Sequence, residues 1–194
     1  MIVGIIGAGT MGSGIAQAFA QCEGFEVRLC DITADIAARG KGRIEKQLMK
    51  RVAKGKMDEN AARAILCRIT TGTNDICSDC DLIVEAAFES MDVKKQTFEE
   101  LESIAKPTCI FASNTSSLSI TEIGAKLDRP LIGMHFFNPA PVMKLVEVIA
   151  GISTPRALVE EVKNIAIQLG KTPVEVNEAA GFVVNRILIP MINE

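Results

Sequence analysis

The hexapeptide Gly7-Ala8-Gly9-Thr10-Met11-Gly12 stands between an apolar run, Met1 to Ile6, and a helix-patterned stretch, Ser13 to Cys22. A GxGxxG turn that leaves a strand and opens a helix cradles a dinucleotide when an acidic residue closes the next strand about 20 positions on. Here the strand Phe25 to Cys30 is closed by Asp31, 19 residues after Gly12. Gly7 permits the tight turn, Gly9 lets the backbone approach a pyrophosphate, and Gly12 lets the helix pack closely on the sheet. The helix then directs free N–H groups and the positive end of its dipole at the phosphates. Gly7, Gly9, Thr10, Met11 and Gly12 are therefore candidate cofactor contacts. Asp31 suits a ribose 2′-hydroxyl and repels a 2′-phosphate, which favours NAD over NADP; Arg28 and Arg39 are the neighbouring cations that act against this preference. A turn that merely joins strand to helix would need only the glycines, not the strand, helix and acid together.

The rest of the chain continues the same alternation. Strands are expected at Ile2 to Ile6, Glu26 to Cys30, Arg68 to Gly72, Leu82 to Glu85, Cys109 to Ala112 and Leu131 to Met134, with long helices at Ala34 to Lys54, Val93 to Ile104 and Arg156 to Leu169. Strands alternating with helices imply right-handed βαβ units. The expected fold is α/β of Rossmann type, a doubly wound, mostly parallel sheet with helices on both faces. Ligands of such sheets collect at the carboxyl ends of the strands.

A hydrophobic fraction of 48% with 23% charged residues predicts a compact soluble domain, and no apolar run approaches a membrane span. The N-terminal run reads as a strand rather than a signal peptide, so the cytoplasm is the expected location. Six cysteines fit that setting as reduced thiols, Cys30 and Cys109 lying in apolar strands. Cys77 and Cys80 form a lone CxxC with no second pair and no nearby histidine, so no metal site is expected.

Charge is concentrated in one place. Lys41 to Lys56 holds seven basic residues against the single acid Glu45, in a chain of net charge −3. Lys46, Lys50 and Lys54 share a helix face. The stripe is either a solvated surface or a seat for a polyanion other than the dinucleotide. The acidic pI and the lack of interleaved aromatics argue against nucleic acid.

His135, the only histidine, follows the strand Leu131 to Met134 and so falls where ligands collect. Hydride transfer to a carbonyl needs a proton donor, and imidazole suits that task near neutrality. Glu147, an acid within the apolar run Lys144 to Ile149, is the candidate carboxylate to orient it. The alternative is a core histidine satisfied by backbone groups. Ser113 to Ser117, including Asn114 and Ser116, follow another strand and offer polar groups to nicotinamide or substrate; they equally suit a helix N-terminus before Leu118 to Ala125.

Four stretches carry a wider likeness: IGAGTMGSGIAQAFA (Ile6 to Ala20), ASNTSSLSITEI (Ala112 to Ile123), GMHFFNPAPVMKLVEVI (Gly133 to Ile149) and GFVVNRILIPMINE (Gly181 to Glu194). Through them the chain resembles the NAD-binding domain of the 3-hydroxyacyl-CoA dehydrogenase family, nearest its bacterial 3-hydroxybutyryl-CoA branch. The resemblance implies hydride transfer between NAD and the 3-hydroxy or 3-oxo group of a short-chain acyl-CoA, in fatty acid or butyrate metabolism. It implies His135 as acid/base, Glu147 as its carboxylate and Ser116 beside the substrate's 3-oxygen, with Asn138 and Asn185 completing the catalytic set. Asp31, Glu89 and Lys94 match positions around the cofactor's riboses, and Lys50 and Lys54 match lysines facing coenzyme A. Residues 1–180 would be the NAD-binding domain and 181–194 the opening of a helical C-terminal domain, through which family members usually dimerise. The apolar tail is then expected to associate with another copy or to detach. A binding module without turnover is the alternative; a 2-hydroxyacid or 3-hydroxyisobutyrate-type enzyme, which relies on a catalytic lysine, fits His135 and Glu147 poorly.

Overall fold

The computed structural model describes all 194 residues. Its centre is one eight-stranded sheet built from β1 (Ile2–Ile6), β2 (Glu26–Cys30), β3 (Ile69–Gly72), β4 (Leu82–Glu85), β5 (Ile110–Ser113), β6 (Leu131–Phe136), β7 (Leu145–Ala150) and β8 (Thr172–Asn177), in the order β3-β2-β1-β4-β5-β6-β7-β8. All neighbours run parallel except β6 and β7, which are antiparallel. The chain order reverses between β1 and β4, which opens a crevice beyond their carboxyl ends.

Helices α1 (Thr10–Ala20), α2 (Ala34–Ala53), α3 (Glu59–Cys67), α4 (Met91–Ile104), α5 (Ile120–Ile123), α6 (Arg156–Gln168) and α7 (Val184–Asn193) connect or cover the strands. Alternation along each strand makes two cores. Ile5, Val84 and Ala112 face one with Ile15 and Phe19 of α1, while Ile6, Ile83 and Phe111 face the other with Phe98 and Leu101 of α4. Phe19 is fully buried and edge-on to Phe25 at 5.3 Å, so its loss would cost about 3–5 kcal/mol.

The doubly wound α/β expectation holds. Local boundaries differ where sequence signals were weak. α1 begins at Thr10, three residues early, because the glycine turn itself starts the helix. α3 went unread; its N-cap is Asp58, whose carboxylate accepts from Asn60 and Ala61 N–H. β8 also went unread: it is an edge strand carrying Pro173, largely exposed, and so lacks the apolar run of a central strand. β6 continues to Phe136, so His135 lies within the strand rather than after it. The tail is a helix, α7, whose residues are all at least partly exposed.

No helix is long and apolar enough to cross a membrane. Cys30, Cys77, Cys80 and Cys109 are buried together in the second core, with Cys30 and Cys77 sulfurs 3.4 Å apart. Thiol hydrogen bonding between neighbours and burial push Cys77 and Cys80 far up, and burial pushes Cys109 up to about 12.

Candidate active site

The glycine turn is built as its spacing requires. Gly7 has φ +94°, and a Cβ there would meet the Ala86 carbonyl oxygen at 2.7 Å, so β1 and β4 close on one another only through glycine. A Cβ on Gly12 would lie 1.7 Å from the Gly7 carbonyl oxygen, which fixes how tightly α1 returns over its own strand. Around Gly9 there is no atom within 4 Å of such a Cβ. That space, with the uncapped first turn of α1 and exposed Thr10 beside it, fits a pyrophosphate.

Asp31 accepts from Ala8 N–H at 2.7 Å and Ile32 N–H at 2.8 Å, which pins its carboxylate beside the turn. With Gly7, Ile32, Thr73, Asn74 and Ala87 it lines a cleft of about 380 Å³. From α2, Arg43 donates to the Ala8 carbonyl and reaches Ser13, adding a cation under the turn.

A second cleft of about 360 Å³ shares Ala87 with the first. It is lined by Met11, Glu89, Lys94, Asn114, Ser116, His135 and Asn138, together with Phe136 and Phe137. Seven candidate residues scattered from position 11 to 138 thus meet in one cavity. Asn114 Oδ1 accepts from Phe136 N–H at 2.8 Å and so ties the loop after β5 to the end of β6.

Glu147 stands directly opposite His135 in the β6–β7 register, and its Oε2 lies 2.8 Å from His135 Nδ1. His135 is 6% exposed and Glu147 1%, so neither is solvated enough to make the contact optional. With Nδ1–H directed at the carboxylate, Nε2 of a neutral ring is free to accept a proton. A core histidine satisfied by backbone groups is thereby excluded. Asn185 does not line the cleft; its Nδ2 donates to the Ser116 carbonyl at 3.3 Å, from the first turn of α7.

Sequence reasoning missed the network beneath Lys94. The ammonium, 1% exposed, donates to Glu85 Oε1 at 2.7 Å and sits 3.2 Å from Glu89 Oε2. Glu85, fully buried, also accepts from Ser113 Oγ and Ala87 N–H, each at 2.7 Å. Glu89 passes the connection on by accepting from Thr115 Oγ1 at 2.6 Å and Ser116 N–H at 3.0 Å. Burial opposes ionisation of Glu89, but Thr115, Lys94 and Ser116 together hold it below the usual carboxylate range. Glu85 was detectable by the signal that exposed Glu147: an acid belonging to an apolar strand.

Lys50 and Lys54 lie apart from these clefts in sequence but beside them in space. With Gln47 and Arg51 of α2 and Gln17 of α1 they form one wall of a cleft of about 460 Å³, whose other wall is Pro139, Pro141 and Val142. Asn138 in the dyad's cleft is followed directly by Pro139 in the basic one, so the two open along a single loop.

Fold, glycine turn and paired imidazole and carboxylate define an NAD-binding oxidoreductase domain. The 3-hydroxyacyl-CoA dehydrogenase, NAD binding domain matches residues 2–179. A 3-hydroxybutyryl-CoA dehydrogenase of Clostridioides difficile is 48% identical over all of this chain and 70% of its own length. A probable 3-hydroxybutyryl-CoA dehydrogenase of Bacillus subtilis is also 48% identical, over 98% of this chain and 67% of its own. The crystal structure of (S)-3-hydroxybutyryl-CoA dehydrogenase from Ralstonia eutropha superposes with a TM-score of 0.94 at 44% identity, covering 99% of this chain and 69% of that one. This chain belongs to the 3-hydroxyacyl-CoA dehydrogenase family, and its chemistry is NAD-dependent hydride transfer.

Proposed function

We propose that the chain interconverts a short-chain 3-hydroxyacyl-CoA and its 3-oxo form, with 3-hydroxybutyryl-CoA and acetoacetyl-CoA as the substrate pair. The observation that carries this is the 2.8 Å contact of Glu147 with His135, which lines one cleft with Ser116, while Lys50 and Lys54 line another that begins at the residue after Asn138. Bound NAD supplies the hydride acceptor. His135 Nε2 removes the 3-hydroxyl proton in oxidation and returns it in reduction, while Glu147 holds the ring and stabilises the imidazolium. Ser116 Oγ, which lines the same cleft as His135, holds the substrate oxygen in this reading. Asn138 lines the same pocket, and Asn185 braces the Ser116 loop from behind.

Gly7 to Gly12 and Asp31 take the pyrophosphate and adenosine; Glu89, Lys94 and Asn114 surround the nicotinamide end. Lys50 and Lys54 attract the phosphates of coenzyme A, which explains a strongly basic helix in a net acidic chain. Residues 1–180 act as the NAD-binding unit and 181–194 open a second, helical unit through which two copies dimerise. Exposed Ile187, Ile189, Met191 and Ile192 support that role for the tail. Six free thiols support a reducing, cytoplasmic setting.

The test is loss of NADH with acetoacetyl-CoA. The chain has no Trp or Tyr, so NADH fluorescence reports binding with little protein background. Turnover dependent on His135 is the expected result; NADH binding without turnover would reduce the chain to a binding module.

A further inference from the structure

We propose that the turn Gly181 to Val184, with the start of α7, is a positioning clamp on the His135–Glu147 pair, so that the order of this segment sets the orientation and tautomer of the imidazole. The proposal rests on reading His135 as the acid/base. Glu147 has two oxygens and both are committed. Oε2 holds His135, and Oε1 accepts from Val183 N–H at 3.2 Å and Val184 N–H at 3.0 Å. The first N–H groups of a helix have no intrahelical partners and carry the positive end of its dipole. A carboxylate only 1% exposed therefore obtains from α7 the donors that water would otherwise supply.

The segment is held against the site by its own side chains. Phe182 is 2% exposed and its ring centroid lies 5.8 Å from that of His135. Gly181 and Phe182 take φ of +74° and +51°, two successive left-handed residues that turn the chain back over the dyad. Such a conformation at phenylalanine costs on the order of 1 kcal/mol or more and persists only where the surroundings enforce it. Asn185 then ties the same turn to the Ser116 carbonyl. One short segment thus contacts the carboxylate, the imidazole and the loop bearing Ser116.

Past Asn185 the helix leaves the core, with Ile187 to Ile189 exposed. Whatever moves its outer half acts on the first turn. If that turn withdraws, Glu147 Oε1 loses both donors, the carboxylate is free to rotate, and Nδ1 of His135 loses its fixed acceptor. Glu147 is then not merely a cap for α7, because the same carboxylate transmits the helix position to the ring.

His135 is the only histidine, so a chain labelled with ¹⁵N-histidine gives one ring to follow. At about pH 8.5, where imidazole is ordinarily neutral, the wild-type ring is expected as the Nδ1–H tautomer. Val184→Pro removes one N–H donor and, because a proline disfavours the αR conformation that Val183 holds, also loosens the turn. The Nε2–H population should then rise severalfold, while Val184→Ala, which keeps the N–H, should leave it unchanged. A wild-type ring lacking the Nδ1–H tautomer would overturn the dyad and the clamp together. A wild-type Nδ1–H ring that Val184→Pro leaves unaltered would overturn the clamp and spare the dyad. Amide exchange of the wild-type chain decides the matter should the proline variant fail to fold. Val183 and Val184 N–H are expected to exchange at least about 100-fold more slowly than in an unstructured chain, and unprotected exchange would overturn the clamp.

Discussion

His135 and Glu147 are direct partners across the antiparallel β6–β7 ladder, twelve residues apart in the chain and 2.8 Å apart at their side chains. Successive strand residues point to opposite faces, so a slip of one residue would send Glu147 to the other side of the sheet. Register alone makes the pair. Glu147→Gln preserves shape but removes the charge that stabilises the imidazolium. Turnover should fall by about 10²–10⁴ with NADH affinity within about twofold of wild type, as read by steady-state rates and NADH fluorescence. Equal losses in both would refute the assignment.

Two glycines of the turn should behave oppositely. Gly12→Ala places a methyl 1.7 Å from a backbone oxygen that cannot move aside, so the variant should lose more than about 3 kcal/mol or fail to fold. Gly9→Ala meets no protein atom within 4 Å and should melt at the wild-type temperature, yet lose NADH binding because the methyl occupies the approach of the pyrophosphate. Thermal melts paired with NADH titrations check both.

The buried ion pair of Lys94 with Glu85 should show strong coupling. Removing Lys94 leaves the buried Glu85 without its counter-charge, and removing Glu85 leaves Lys94 only the more exposed Glu89, so each single change should cost up to about 3–5 kcal/mol. Glu85→Leu and Lys94→Met together should cost well under the sum of the two single changes in urea unfolding. Additive losses would mean that the two charges do not depend on each other.

Acid should loosen the Ser116 loop before it unfolds the sheet. Glu89 is held below its unfolded value, so its contribution is present above about pH 4.3 and is lost as pH falls through its folded value. Protonation weakens its hold on Lys94, Thr115 and Ser116. The protection factor of the Ser116 amide should fall in that range while Val84 and Phe111 in the central strands stay protected.

Thiol reactivity should follow burial. Cys67 is exposed and Cys22 half-buried, and burial pushes the Cys22 thiol up, so a disulfide reagent at pH 8 should titrate Cys67 quickly and Cys22 slowly. Cys30, Cys77, Cys80 and Cys109 should react only on unfolding. Fast modification of four or more thiols in the folded chain would contradict the packing of the second core.

The local code is strong where backbone geometry demands a particular residue. Gly7 and Gly12 were legible because no other residue fits their turn, and Asp31 because it closes the adjacent strand. Alternating apolar runs announced the parallel sheet for the same reason: buried central strands need them. α3 and β8 were not legible, since a short exposed helix and an edge strand satisfy few such demands.

The sequence by itself determined the glycine turn, the alternation that winds the sheet, the acid that closes the second strand and the isolated imidazole, since each is a property of a few neighbouring residues. Only the tertiary structure brought Glu147, the acid offered by its apolar run, into contact with that imidazole, held Lys94 between Glu85 and Glu89, and began α7 on the far oxygen of Glu147. Those pairings depend on strand order, register and the return of a distant turn, and no local run of residues specifies them.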